Sequence, residues 1–351
     1  MSRPTRVLVV CPGRGSYDRA CLGQLQDRTD DARAVIDACD AWRSSQGRPT
    51  LTELDAKDSF RQTLHVAGEH ASLLTMGCGL ADLAQLDTER YEIVGVTGNS
   101  MGWYTALGAA GALSLSDTIR LVDTMGWYQK GNVLGGQILY PVTDSGWDAD
   151  PALCDAVEQA LNEACAEGHG AWWSIRLGGF AVLGADKAGV KFLMGALPKQ
   201  ERGSRTFPIQ LPMHSAFHTP LMQATSDAAF ADLQGLEIRP PTVPLIDGRG
   251  QVFRPLYADP VEMLEYTLGH QVVQPYDFTK AIETALQHCA PELVVVLGPG
   301  NSLGGPLARI LVSQGWRGIL SRADLDEMQS SNVPQLLSLG VTKQRDLLVR
   351  G

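Results

Sequence analysis

The chain has 351 residues, of which 44% are hydrophobic, and it carries a net charge of −10 with a pI near 5.2. This length is enough for two domains or for one large elaborated domain with a sizeable buried core. An acidic chain lacks the basic field that binding to nucleic acid or to a membrane surface requires, so we expect neither partner.

The cysteines and the N-terminal stretch bear on the compartment. The seven cysteines, an odd number without a C-x-x-C pair, favour a reducing environment over a disulfide framework or a zinc site. The apolar run RVLVV (6–10) is shorter than the core of a signal peptide. No stretch approaches the roughly 18 apolar residues of a membrane span. We therefore expect a soluble cytoplasmic protein.

Three short apolar runs predict strands, and each one leads into a glycine turn. They are RVLVV (6–10), EIVGV (92–96) and ELVVVL (292–297). Near-continuous apolar runs are typical of parallel strands that are covered on both faces. Helical spacing of apolar residues occupies 68–86, and a second helix is predicted to begin at the N-cap Ser116. Strands that alternate with helices predict an α/β fold.

The middle of the chain shows a different order. It contains a predicted strand, helix, two strands, helix and strand, at 137–142, 151–168, 171–177, 180–185, 186–197 and 206–211. This βαββαβ order is typical of a ferredoxin-like unit. We therefore predict a large α/β subdomain in two parts, 1–132 and 212–351, with a small ferredoxin-like subdomain inserted at 133–211.

Two Gly-Asn-Ser-x-Gly segments compete as the site of a nucleophile, and they centre on Ser100 and Ser302. A nucleophile elbow places its serine on a sharp turn directly between a strand and a helix. Ser100 fits this pattern, whereas Gly298-Pro299-Gly300 separates Ser302 from its strand. We predict that Ser302 lies in a structural turn. For Ser100, a structural strand-to-helix turn stays open as the alternative.

A reactive serine needs a base, and the loop LPMHSAFHTPLM (211–222) offers His214 and His218. The loop follows a predicted strand and is bounded by prolines, so it can carry a histidine to a cleft. A hydrogen-bonded core histidine is the alternative.

Together these motifs resemble those of the malonyl-CoA:acyl-carrier-protein transacylases and of the related acyltransferase domains of polyketide synthases. The resemblance covers roughly residues 6 to 312. The similar segments are PGRGS (12–16), GNSMGWYTALGAAGALS (98–114), FHTPLM (217–222), HQVVQPYDF (270–278) and GPGNSLGGPL (298–307). It implies an α/β-hydrolase-like large subdomain with a parallel sheet and an inserted ferredoxin-like subdomain.

The resemblance also assigns roles. Ser100 matches the family's nucleophile, and His218, not His214, matches its catalytic histidine. Gln271 matches the residue whose backbone carbonyl orients that imidazole. The backbone N–H groups of Met101 and Arg14 would form the oxyanion hole.

Three positions depart from the family's pattern near the site. Met125 stands where malonyl-specific members have an arginine that pairs with the substrate carboxylate, and a thioether cannot do so. This predicts a preference for uncharged acyl groups, unless Arg14 or Arg176 supplies the cation. Asn99 replaces a histidine and Trp103 replaces a glutamate. Trp103 would make the substrate pocket more apolar, with core packing as the alternative.

The resemblance implies transfer of an acyl group from coenzyme A to the phosphopantetheine thiol of an acyl carrier protein, in fatty acid or polyketide biosynthesis. The reaction would pass through an acyl-serine and need no metal or redox cofactor. The alternatives are an acyl hydrolase acting on acyl carrier proteins and a non-catalytic docking protein. Arg202 and Arg205 are candidates for contacting an acidic carrier protein, with an ordinary solvated loop as the alternative.

Overall fold

The computed structural model describes residues 3–26, 28–331 and 334–350. Its strands fall into two main sheets and one short hairpin. In chain order the strands are β1 (Thr5–Cys11), β2 (Tyr91–Gly98), β3 (Gly136–Pro141), β4 (Ala171–Arg176), β5 (Phe180–Ala185), β6 (Gln200–Arg202), β7 (Arg205–Phe207), β8 (Ile209–Gln210), β9 (Leu245–Ile246), β10 (Val252–Phe253), β11 (Tyr276–Asp277), β12 (Leu293–Val296) and β13 (Leu336–Ser338).

The helices fill the connections between these strands. They are α1 (Asp30–Ser45), α2 (Leu51–Asp55), α3 (Gln62–His65), α4 (Gly68–Ala84), α5 (Gly102–Ala109), α6 (Leu115–Trp127), α7 (Pro151–Ala166), α8 (Lys187–Ala196), α9 (Gln223–Asp232), α10 (Pro260–Glu265), α11 (Gln271–Val273), α12 (Phe278–Cys289), α13 (Gly304–Ser313), α14 (Arg322–Ser330) and α15 (Thr342–Leu348). A π turn (Tyr266–His270) joins α10 to α11. No helix in the described ranges is long and apolar enough to cross a membrane.

The large sheet has the strand order β10-β9-β2-β1-β12-β13, and all neighbours except β10 and β9 run parallel. β1 is central, and its residues 7–10 are fully buried, as the apolar run predicts. Since β1, β2 and β12 are parallel neighbours, the turns after them lie side by side at one edge of the sheet. These are the turns that carry the glycine-rich motifs.

The small sheet has the strand order β11-β4-β5-β3-β8. Its neighbours are antiparallel except β11, which pairs in parallel with β4. With α7 after β3 and α8 after β5, the order β8-β3-β5-β4 is that of a ferredoxin-like unit. This unit has a hydrophobic core of its own, which includes Ile138, Val157 and Leu183.

The structure differs from three sequence expectations. The helix predicted to be capped by Ser116 begins earlier, because the Oγ of Ser114 accepts the backbone N–H of Asp117 at 3.0 Å. The strand predicted at 206–211 is two strands, β7 in the hairpin with β6 and β8 in the small sheet. β11 was not predicted at all, and it joins the small sheet from beyond the predicted range 133–211.

Candidate active site

Ser100 lies on a sharp turn between β2 and α5. Its φ of +56° places a non-glycine residue in the left-handed region, which costs backbone strain. The turn is so tight that a Cβ on Gly98 would lie 2.3 Å from the carbonyl carbon of Gly102, and one on Gly102 would lie 2.2 Å from the Cys11 carbonyl oxygen. The two glycines are therefore required where they stand, and the turn has the geometry of a nucleophile elbow.

Ser100 and His218 form a hydrogen-bonded pair. The distance from Ser100 Oγ to His218 Nε2 is 2.7 Å, and His218 Nδ1 lies 2.5 Å from the backbone carbonyl oxygen of Gln271. A carbonyl can only accept, so Nδ1 carries the proton and Nε2 is free to accept the serine hydroxyl. The structure thus brings Ser100, His218 and Gln271 together in the arrangement that the resemblance implies.

The protonation state of His218 suits a base. The imidazole is buried, with 3% of its surface exposed, and burial lowers its pKa to about 4; the hydrogen bond with Gln271 opposes this shift in part. His218 is therefore neutral at pH 7 and available to take a proton.

The side chain of Gln271 makes two further contacts. Its Nε2 donates to the backbone carbonyl of Ser100 at 3.0 Å, and its Oε1 accepts from the hydroxyl of Tyr104 at 2.8 Å. Gln271 thus contacts both members of the Ser100–His218 pair. Sequence reasoning missed Tyr104, although it lies within the quoted motif, because nothing in the local pattern indicates a contact 167 residues away.

Two backbone donors lie at the elbow or next to it. Within the described ranges, the backbone N–H groups of Met101 and Arg14 donate to no protein acceptor. Gly13, next to Arg14, lies against the elbow, since a Cβ there would be 3.6 Å from the Cβ of Ser100. Met101 directly precedes α5, where the helix dipole favours negative charge. The geometry suits the predicted oxyanion hole, which stays a prediction.

A cavity of about 760 Å³ opens over Ser100. Its wall contains most of the predicted site residues, namely Arg14, Asn99, Ser100, Met101, Met125, His218 and Gln271. His214 also lines it; burial and the charge of Arg14 lower the pKa of its imidazole to about 3.

Two predicted substrate-binding residues do not line this cavity. Trp103 is fully buried in the core, where its Nε1 donates to Thr267 Oγ1 at 2.9 Å and its ring meets Tyr266 edge-on. Arg176 lies on β4, where side chains alternate between the two faces, and its neighbours Ile175 and Leu177 take the cavity side. The guanidinium of Arg176 instead covers the ring of Trp173. Neither side chain therefore lines the cavity, and the structure gives these two substrate-binding predictions no support.

Arg14 holds its side chain in the wall of the cavity. One guanidinium nitrogen donates to the carbonyl of Met213, and the group lies 4.9 Å from the ring centre of Phe217. Its Nε and Nη1 are buried, and neither has a hydrogen-bond partner among the described residues. Burial lowers the pKa of Arg14 to about 10, so the group stays positively charged at pH 7.

Comparisons with known proteins agree with this geometry. A malonyl CoA-acyl carrier protein transacylase of Bacillus subtilis (strain 168) is 24% identical over 312 residues, which cover 87% of this chain and 90% of the relative. A solved acyl-carrier-protein S-malonyltransferase from Burkholderia pseudomallei 1710b superposes with a TM-score of 0.74 at 21% identity, covering 97% and 98% of the two chains. The resemblance to the malonyl-CoA:acyl-carrier-protein transacylases is confirmed.

The fold comparison extends to a complex. A malonyl-transacylase solved together with its type II polyketide synthase acyl-carrier protein superposes on this chain with a TM-score of 0.73 at 18% identity, covering 98% of this chain and 99% of that one. These superpositions show that the chain shares its α/β fold with the transacylase structures. No protein-family model matches the chain.

Proposed function

We propose that the chain is an acyltransferase that moves an acyl group from coenzyme A to the phosphopantetheine thiol of an acyl carrier protein, in fatty acid or polyketide biosynthesis. The observation that carries this proposal is the hydrogen-bonded series from Ser100 to His218 to Gln271, which lines a cavity large enough for an acyl thioester. Similarity to transacylases along most of the chain supports it.

The first half-reaction acylates the serine. His218 Nε2 takes the hydroxyl proton while Ser100 Oγ attacks the thioester carbonyl. Donors at the backbone of Met101 and Arg14 would stabilise the tetrahedral oxyanion, an effect of about 3 kcal/mol per donor. The carbon–sulfur bond breaks, and the departing thiolate of coenzyme A takes the proton from the imidazolium.

The second half-reaction runs the same steps in reverse on a different thiol. The phosphopantetheine thiol gives its proton to His218 and attacks the acyl-serine carbonyl. The ester bond to Ser100 breaks, and the serine oxygen takes the proton back. Atoms and protons balance with these groups alone, so the proposed reaction requires no metal or redox cofactor.

The proposed acceptor is an acyl carrier protein, which one structurally similar transacylase binds in its solved complex. Arg205 lines the cavity and is exposed, so it could contact an acidic carrier that delivers its thiol there. Arg202 pairs with Arg205 across the β6–β7 hairpin, but its guanidinium donates to the carbonyl of Thr143. All seven cysteines are free thiols, which supports a reducing compartment such as the cytoplasm as the place of action.

Intact-protein mass spectrometry tests the proposal. After brief incubation with malonyl-CoA, acetyl-CoA and butyryl-CoA in separate reactions, the protein should gain the mass of an acyl group, and a Ser100→Ala variant should gain none. Adding a phosphopantetheinylated carrier protein should then move that mass to the carrier.

The other outcomes contradict the proposal in distinct ways. Release of free acid at a rate that does not depend on the carrier would favour the acyl hydrolase. An unmodified protein with every acyl-CoA, together with binding of the carrier, would favour a docking protein.

A further inference from the structure

We propose that the side chain of Arg14 selects the acyl group, and that it binds the carboxylate of a dicarboxylic acyl thioester. The inference rests on the proposed function, because it concerns the group that Ser100 accepts. The proposal assigns carboxylate binding to the glycine loop after β1. Helix α6 cannot bind a carboxylate here, because the residue that it contributes to the cavity wall is Met125. The proposal also reverses the preference for uncharged acyl groups that Met125 suggests on its own.

The first reason is the unpaired charge. Arg14 forms an ion pair with no Asp or Glu of the described ranges, and the hydrogen bond of its guanidinium goes to a neutral carbonyl, that of Met213. Glu69 offsets the burial of Arg14 only through space. A buried cation without a counter-charge is costly, and a carboxylate bound beside it removes much of that cost.

The second reason is the charge of the rest of the cavity wall. His214 and His218 are both neutral at pH 7, because burial holds their pKa values far below the ordinary range. Asp18, an acidic residue of the wall, is exposed and uses its carboxylate to cap the turn that begins at Arg19. The wall therefore carries two cations, Arg14 and Arg205. Arg205 is exposed on the β6–β7 hairpin, whereas two guanidinium nitrogens of Arg14 are buried, so we assign the contact with the acyl group to Arg14.

The third reason is position. The guanidinium reaches from the glycine loop to the start of α4 and the end of α6, since a Cβ on Gly68 would lie 2.5 Å from Arg14 Nη1 and 2.5 Å from Gln129 Cβ. Gln129 follows Met125 by four residues and lines the same cavity. The backbone of Arg14 lies next to the elbow, so one residue offers an N–H near the reacting carbonyl and a cation further along the wall. A short dicarboxylic acyl group fits this arrangement, because its thioester carbonyl would lie at the elbow and its free carboxylate would contact the guanidinium.

The experiment compares acylation of Ser100 by malonyl-CoA and by acetyl-CoA, measured as the rate of acyl-enzyme formation by intact-protein mass spectrometry. Wild-type protein should react faster with malonyl-CoA. Arg14→Gln should lower the ratio of the malonyl rate to the acetyl rate by about 10- to 100-fold, the size of a lost charge-assisted contact. Arg14→Lys should recover part of the malonyl rate, because it keeps the charge without the planar fork.

Arg176→Gln is the matched variant, because it removes an arginine that the structure places outside the cavity. It should leave the ratio of malonyl to acetyl rates at the wild-type value. The inference is overturned if wild-type protein accepts acetyl but not malonyl groups, if Arg14→Gln leaves the ratio unchanged, or if Arg176→Gln lowers it. Failure of every acyl-CoA to modify Ser100 would instead overturn the proposed function. Circular dichroism spectra of the variants should match that of the wild type, which shows that they are folded.

Discussion

The chain contains the same tripeptide, Gly-Asn-Ser, after two parallel strands of the large sheet. The two copies differ in the length of the turn, in the partner of the serine hydroxyl and in the exposure of the serine. Ser100 follows β2 after one residue beyond Gly98, has a φ of +56° and hydrogen-bonds to an imidazole. Ser302 follows a longer turn after β12, is exposed, and its Oγ lies 2.6 Å from the hydroxyl of Ser16.

In the turn after β12, the polar backbone groups form hydrogen bonds with residues of other elements. The N–H of Gly298 donates to the buried carboxylate of Asp82, which also pairs with Arg28 and Arg345. The carbonyl of Gly300 accepts from the Ser338 hydroxyl at 3.1 Å. A serine motif therefore becomes a site only where the turn leaves its donors free and a base faces the hydroxyl.

Exchanging each serine for alanine tests this difference most directly. Ser100→Ala should reduce acyl transfer by about 10⁴-fold or more, because the nucleophile is lost. Ser302→Ala should keep most of the activity and lose only about 1 kcal/mol of unfolding free energy with its hydrogen bond to Ser16. Measuring release of coenzyme A for both variants gives the comparison, and an equal loss of activity in the two would contradict it.

The last glycine of each motif should respond differently to alanine. In Gly102→Ala the new Cβ would lie 2.2 Å from the Cys11 carbonyl oxygen, a backbone atom, so we expect a loss of about 3 kcal/mol or more. In Gly304→Ala it would meet the side chain of Asn301, which is exposed and can turn away, so we expect a change within about 1 kcal/mol. Denaturant unfolding of both variants measures these values, and similar losses would show that the second turn is as tight as the first.

The pH dependence of acylation should report the imidazole that only the first turn faces. Protonation of His218 removes the base, and its pKa of about 4 predicts a rate, as kcat/KM, that stays level from pH 8 to pH 5 and falls below that. An acidic limb near 6.5 would show that burial does not shift this group.

The same shift predicts a change in stability. Below pH 6.5 the unfolded chain binds a proton at His218 that the folded chain refuses, so the unfolding free energy should fall as the pH drops from 6.5 towards 4. Thermal unfolding at each pH measures the trend. A Ser302→Ala protein keeps His214 and His218, so it should show the same fall.

Tyr104→Phe should have the smallest effect. It removes the donor to Gln271 Oε1 and leaves the hydrogen bond of Gln271 Nε2 to Ser100 without its support. We expect kcat to fall by about threefold to tenfold with KM little changed, because Tyr104 positions the residue that orients His218. Steady-state kinetics separate the two constants, and a rise in KM alone would assign Tyr104 to substrate binding.

The sequence predicts what depends on neighbouring residues. The apolar runs of β1, β2 and β12 and the glycines around Ser100 are local signals, and the structure has a strand at each of the three runs and a sharp turn at Ser100. The position of Trp103 could not be predicted, because its partner Thr267 is 164 residues away and an indole suits a pocket and a core equally well. The face that Arg176 takes could not be predicted either, because a shift of one residue along a strand moves a side chain to the opposite face of the sheet.

β11 makes the inserted unit inseparable from the chain that surrounds it. The segment that leaves Gln271 runs directly into this strand, which pairs with β4 of the small sheet through Tyr276 and Asp277. The hydroxyl of Tyr276 donates back to the carbonyl of Gly98 at 2.7 Å, at the first residue of the elbow. Deleting residues 133–211 would therefore not yield a smaller active protein. The deletion removes β4, and β11, which hydrogen-bonds to the elbow through Tyr276, would lose its partner strand. The segment that contains β11 thus contacts both subdomains, pairing with β4 in one and hydrogen-bonding to the elbow in the other.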